Sequence, residues 1–256
     1  MKVGFIGMGN MAGAICRGII SSGFIDGKDV YAYDPDEKKL EMMKEDFSIQ
    51  PCQSETDLVL QSDVVIMAVK PHIIEKVIAT VKSVIQDKTI ISIVAGYSHE
   101  RYEALLPGSH HLTVMPNTPA RVLQGVTLFE KENTFNENEL AYAKALFSSI
   151  GEVYEIENDQ MTAGGALSGC GPAFVYMFIE ALADGAVFSG LPRDKAYQLA
   201  SQMVIGSAMM VKETGLHPGV LKDQVCSPGG LTIKGVKALE ENGLRNAVIE
   251  AIIKSK

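Results

Sequence analysis

Two short stretches at opposite ends of the sequence hold residues whose types and spacing suit the binding of anions. Near the start, VGFIGMGNMAGAI sets Gly7, Gly9 and Ala12 in a G-x-G-x-x-A pattern, directly after an apolar run and at the mouth of a helical one. In such a turn Gly7 permits the tight bend and Gly9 lets the backbone approach a pyrophosphate. Asn10 and Met11 then open the helix whose N-terminus faces the negative charge. Asp34 ends the next β-rich run, YAYD, at about the ~20-residue distance where a carboxylate takes the ribose 2′-OH of NADH and disfavours the extra phosphate of NADPH. Its setting, DPD, is also turn chemistry, so a purely local role stands beside that one. After the third apolar run, Ala68, Val69, Lys70 and Pro71 fall at a strand's carboxyl end, the rim on which doubly wound sheets bind ligands. Lys70 serves equally well as a solvated surface residue.

Near the end, SPGGLTIKG runs from Ser227 to Gly235. A proline followed by Gly229 and Gly230 is a turn, and Leu231 and Thr232 then open a helix whose first N–H groups suit a carboxylate or phosphate. A plain helix entry is the competing explanation, because most such turns bind nothing.

The elements that must hold these stretches differ between the two halves. From Lys2 to about Tyr154, short Val/Ile-rich runs (KVGFIG, DVYAYD, DVVIMAV, TIISIVAG) alternate with helical stretches. Continuous apolar runs separated by helices are what a parallel sheet covered on both faces requires. Residues 1–157 are therefore expected to form a doubly wound α/β domain of the Rossmann type. After GEVYEI the strands cease. GPAFVYMFIEALADGAVFSG is apolar on nearly all sides, and PRDKAYQLASQMVIGSAMMVKETG starts near Pro192 and stops at Gly215. With three further helical runs, residues 158–256 are expected to be all-α, the first helix lying in a bundle or a subunit interface.

Composition narrows the function classes. A net charge of −8 over 256 residues disfavours broad electrostatic binding to nucleic acid or anionic membrane. Taken singly, apolar stretches such as VVIMAV and AFVYMFI fall far below a membrane span. Cys16, Cys52, Cys170 and Cys226 are scattered, which reads as reduced thiols and points to the cytoplasm. The five histidines lack metal spacing, so no metal is expected. Cys170 and Cys226 have no histidine at a position suggesting a nucleophilic pair, and are expected to be small packing residues.

Taken in order, GMGNM, AVKP, SIVAG, MPNTPA, ALSGCGPAF, HPGVLKDQV and SPGGLTIKGVKALEENG resemble the pyrroline-5-carboxylate reductase family over nearly the whole chain. The resemblance implies reduction of the cyclic imine 1-pyrroline-5-carboxylate to L-proline with NADPH or NADH, Asp34 tilting the choice toward NADH. It also implies a homodimer, open to larger assembly, in which the helical domain serves dimerisation and substrate binding. In the family the turn matching Ser227–Thr232 receives the substrate carboxylate through the Ser227 hydroxyl and the N–H groups of Gly230, Leu231 and Thr232. Thr232 lies near the imine nitrogen and orients or polarises it. The resemblance further places Asn117 on the nicotinamide or its ribose, although an Asn capping the turn before Pro119 has the same spacing. Ala95 and Gly96 are small enough for the cofactor ring to lie against the backbone.

Thr113 stands where the family often has arginine, and Leu231 where relatives often have threonine. Two other classes remain open: a 3-hydroxyacid dehydrogenase using Lys234 or Lys237, and a dinucleotide redox sensor without turnover.

Overall fold

A computed structural model describes residues 1–256 and divides into two compact units, Met1–Gly169 and Cys170–Lys256. The first unit runs β1 (Val3–Ile6), α1 (Asn10–Ser21), β2 (Val30–Tyr33), α2 (Glu37–Phe47), β3 (Gln50–Pro51), α3 (Glu55–Gln61), β4 (Val64–Met67) and α4 (Ile74–Ile85). It continues with β5 (Thr89–Ser92), α5 (His99–Leu105), β6 (His110–Pro116), β7 (Gly125–Glu130), α6 (Glu137–Ser148), β8 (Gly151–Ile156) and α7 (Met161–Gly165).

The strands form one eight-stranded sheet in the order β3-β2-β1-β4-β5-β6-β7-β8. β1 pairs in parallel with both β2 and β4, Val3 lying opposite Val30 on one side and Val64 on the other. The chain winds from β1 outward through β2 and β3, then returns to β4 on the opposite side of β1. That reversal is the switch point where doubly wound sheets open a crevice at their carboxyl edge. Every residue of β1, β4 and β5 is buried, which explains their unbroken apolar sequence. Alternation along β1 feeds two cores: Phe5 packs with Ile15, Ile19 and Phe147, and Ile6 with Leu58, Ile74 and Tyr102.

The doubly wound expectation holds with one departure. β7 runs antiparallel to β6. Only a 3-10 turn, Thr118–Val122, joins them, too short for the crossover that a parallel pair needs. The polar stretch EKENTFNENEL ends in a reciprocal cap on α6, Asn136 accepting from the N–H of Glu139 while Glu139 accepts from that of Asn136.

The second unit is wholly helical: α8 (Gly171–Phe188), α9 (Arg193–Thr214), α10 (Pro218–Gln224), α11 (Leu231–Glu241) and α12 (Leu244–Ile253). α9 ends at Gly215, whose φ of 63° suits a residue without a Cβ. Helical structure begins near residue 158, where the sequence changes texture, but the first compact unit extends to Gly169. A Cβ on Gly165 would lie 2.0 Å from Met115 Sδ, so α7 packs directly on β6.

Helical structure is continuous over residues 158–188, a 31-residue run long and apolar enough to cross a membrane by length and composition. This differs from the expectation drawn from single apolar stretches, because α7, a π-helical turn at Ala166–Cys170 and α8 join end to end. Tyr176, Met177 and Phe188 of α8 and Met203, Ile205 and Met210 of α9 are exposed large apolar side chains.

Candidate functional site

The glycine turn is wedged between the ends of three strands. The N–H of Gly7 donates to the Tyr33 carbonyl at 2.8 Å, tying the turn to β2. Gly7 has φ of 95°, and a Cβ there would sit 2.7 Å from the Ala68 carbonyl at the end of β4. Only glycine satisfies both conditions. Gly9 is different: a Cβ on it would meet nothing within 4 Å. It precedes α1 without any side-chain cap, so the first N–H groups of that helix, from Asn10 onward, lack protein partners. They face a cleft of about 510 Å³ lined by Gly9, Asn10, Arg17, Lys39, Met42 and Arg121 among others. An open backbone at a helix start, beside a cleft, fits a dinucleotide pyrophosphate.

Asp34 follows β2 and is 8 % exposed. Its Oδ2 accepts the Met8 N–H at 2.8 Å and its Oδ1 the Asp36 N–H at 2.9 Å; Lys39 Nζ stands 3.3 Å from Oδ1. Burial by itself raises the pKa of this carboxyl, but the two N–H donors and the ammonium outweigh it and hold the group ionised below the usual range. Asp34 is thus a brace between the glycine turn and β2 as well as a charge on the rim.

The other rim residues lie at neighbouring carboxyl edges. Ala68 and Val69 are half-buried after β4, Lys70 and Pro71 are exposed, and Ala95 is exposed after β5. Asn117, after β6, is buried with both ends of its amide in use: Nδ2 donates to the Ser168 carbonyl at 2.9 Å and Oδ1 accepts the Val126 N–H at 2.8 Å. Its side chain therefore holds the start of β7 and the π-helical turn. Thr113 is buried, and its hydroxyl donates to the Tyr97 carbonyl at 2.9 Å.

Motif reasoning did not find three participants. Arg17, Lys39 and Arg121 line the cleft from α1, α2 and the 3-10 turn. For Arg17 the signal was present, since it falls on the same helix face as Asn10 and Gly13. Lys39 and Arg121 are brought in by the fold. Cys16 is buried and its thiol is pushed up to about 12 by burial, whereas Cys170, expected to pack, is exposed and Cys226 is half-buried.

In the second unit, the Gly230 N–H donates to the Ser227 carbonyl at 3.0 Å, closing a turn with Pro228 at its second position and Gly229 at its third with φ of 69°. That is the geometry of a type II turn. The Gly230 N–H is thereby committed inside the turn. Gly230 then precedes α11 without a side-chain cap, which leaves the N–H groups of Leu231 and Thr232 open. A Cβ on Gly230 would lie 2.5 Å from Ser227 Oγ, so the serine hydroxyl sits over the helix start. Leu231 is 86 % exposed and Thr232 is exposed as well. Lys237 pairs with Glu241 along α11.

Comparison with known proteins agrees with both halves. Residues 158–256 match the family model described as pyrroline-5-carboxylate reductase dimerisation, and residues 2–96 match NADP oxidoreductase coenzyme F420-dependent. The pyrroline-5-carboxylate reductase of Treponema pallidum is 41% identical, over 98% of this chain and 97% of that protein. That of Escherichia coli is 41% identical over 99% of this chain and 95% of its own length. Among solved structures, Plasmodium falciparum pyrroline carboxylate reductase with NADP bound superposes with a TM-score of 0.91 at 33% identity, over 100% of this chain and 95% of that one. A 3-hydroxyisobutyrate dehydrogenase from Mycobacterium tuberculosis, at 13% identity and a TM-score of 0.55 over 90% of this chain and 71% of that one, shares the fold alone. With whole-length identity of this order to several reductases, the chain belongs to the pyrroline-5-carboxylate reductase family.

Proposed function

We propose that this protein reduces the C=N bond of 1-pyrroline-5-carboxylate to give L-proline, drawing the hydride from a reduced nicotinamide dinucleotide. The observation that carries this is identity of 41% to named reductases over 98% of the chain. The open, uncapped helix start at Gly9 supports the cofactor's place, and the open start of α11 that of the substrate.

Gly7 and Gly9 shape the pyrophosphate seat, and the N–H groups of Asn10 and Met11 supply its donors. Ala68, Val69, Lys70, Pro71 and Ala95 form the rim along which the rest of the dinucleotide lies. Asn117 keeps that rim in place through its bonds to Ser168 and Val126, and the second N–H of its amide serves the nicotinamide or its ribose. Asp34 favours NADH through the ribose 2′-OH. The dinucleotide supplies the hydride, and the rate arises mainly from positioning.

The Ser227 hydroxyl and the N–H groups of Leu231 and Thr232 receive the substrate carboxylate, with Gly229 and Gly230 keeping the approach free of side chains. The committed N–H of Gly230 holds the turn closed instead of reaching outward. Thr232 orients and polarises the imine nitrogen; its hydroxyl is too weak an acid to be the ultimate proton source. No metal or covalent intermediate enters this scheme. The apolar exposed faces of α8 and α9 are covered by a second subunit, making a cytoplasmic homodimer. Residues 1–157 serve the dinucleotide, and residues 158–256 the substrate and the dimer.

The test is direct: purified protein with 1-pyrroline-5-carboxylate should consume NADH or NADPH and release L-proline in equal amounts. Cofactor binding without consumption would refute the enzymatic reading.

A further inference from the structure

The cleft at the head of α1 has a cationic lining. Its lining includes Arg17, Lys39 and Arg121 and not one carboxylate. Arg17 is held by Asp46 at 3.2 Å and lies over the Phe47 ring. Lys39 is placed otherwise: its ammonium bridges Asp34 Oδ1 at 3.3 Å and Asp36 Oδ2 at 3.7 Å, while 45% of its side chain stays exposed.

An aspartate after β2 rejects a 2′-phosphate only insofar as its charge is uncompensated. Here Asp34 is fixed by the Met8 N–H of the glycine turn on Oδ2 and by the Asp36 N–H on Oδ1, and Lys39, which lines the cleft, offsets its charge at Oδ1. A lysine ammonium on a four-carbon stem has three rotatable donors, and with 45% of its side chain exposed Lys39 has room to swing toward the cleft. It can therefore leave the two aspartates for a dianion in the cleft without disturbing the brace between Asp34 and Met8.

We propose that Lys39 is the 2′-phosphate acceptor of this chain, letting it hold NADPH although Asp34 favours NADH. This assignment rests on the dinucleotide reading of the Gly9 helix start. It makes cofactor choice a balance between two side chains 3.3 Å apart.

The test is equilibrium titration of the full chain with NADPH, NADH, 2′,5′-ADP and 5′-ADP, comparing wild type with Lys39→Met and Lys39→Arg. Lys39→Met should weaken NADPH and 2′,5′-ADP by about tenfold, the scale of one charge-assisted contact, and leave NADH and 5′-ADP within about twofold. Lys39→Arg should retain NADPH. Raising salt should weaken NADPH binding by wild type more steeply than by Lys39→Met. Equal weakening of all four ligands, or unchanged NADPH affinity in Lys39→Met, would overturn the assignment. Failure of wild type to bind any of the four would instead refute the underlying dinucleotide reading, and this assignment with it.

Discussion

The carboxylate of Asp34 accepts the backbone N–H of Met8 at 2.8 Å, joining residues 26 positions apart across the end of β1 and β2. One side chain thereby shapes the glycine turn and sets the charge at the rim. Asp34→Ser should raise the NADPH-to-NADH preference, because Lys39 is released and the repelling charge removed. It should also lower stability by about 1–3 kcal/mol, since N–H donors lose an ionised acceptor. Paired kinetics with both cofactors and a denaturant titration check the two effects; an unchanged ratio would leave Asp34 as a turn brace alone.

Gly7 and Gly9 should separate in the same way that their surroundings do. Gly7→Ala meets the Ala68 carbonyl and holds an alanine at φ of 95°, so it should lower stability by about 1–3 kcal/mol and reduce cofactor affinity. Gly9→Ala has free space around its new methyl and should leave the melting temperature nearly unchanged while weakening NADH. Thermal melts beside cofactor titrations distinguish the pair.

How far could the sequence alone have led? Gly7, Gly9, Asp34 and the Ser227–Thr232 turn announce themselves because turns and helix starts are local chemistry, written in adjacent residues. The parallel strands β1, β4 and β5 were legible as unbroken apolar runs. The antiparallel β7 was not, because its direction is set by a short link and by pairing across the sheet. Likewise the amide of Asn117 reaches Ser168, 51 residues away, and no spacing rule predicts that. Lys39 is visible only as one of several charges on α2 until the fold sets it against Asp34.

A buried imidazole stack gives the protein an acid-sensitive point. His111 is fully buried, with Nε2 2.9 Å from His99 Nδ1 and its ring stacked on Tyr102. Burial first, then the neighbouring His99, hold its pKa below the ordinary histidine value, against the opposing pull of Glu103. As pH falls below about 6.5 the unfolded chain takes up a proton that the folded chain refuses. Stability should therefore drop with falling pH, by at most about 1.4 kcal/mol per pH unit, until the folded-state pKa is passed. Glu130, whose carboxyl burial raises above the ordinary glutamate value, acts in the opposite sense, adding stability as pH falls through that raised pKa. Unfolding measured between pH 7 and 5.5 should show the slope, and His111→Phe should flatten it; an equal slope in the variant would place the acid sensitivity elsewhere.

At the start of α11, Thr232→Ala should mainly lower kcat and Ser227→Ala mainly raise KM, the latter by about tenfold or more for a lost hydrogen bond to a carboxylate. Steady-state kinetics at saturating cofactor resolve the two, and the reverse pattern would exchange the assigned roles.

The most direct trial of the whole account is a product-balanced assay with purified protein, 1-pyrroline-5-carboxylate and either reduced nicotinamide cofactor. The account predicts one L-proline formed for each cofactor oxidised, with turnover strongly reduced in Thr232→Ala. Tight cofactor binding with no proline formed from the imine would contradict it.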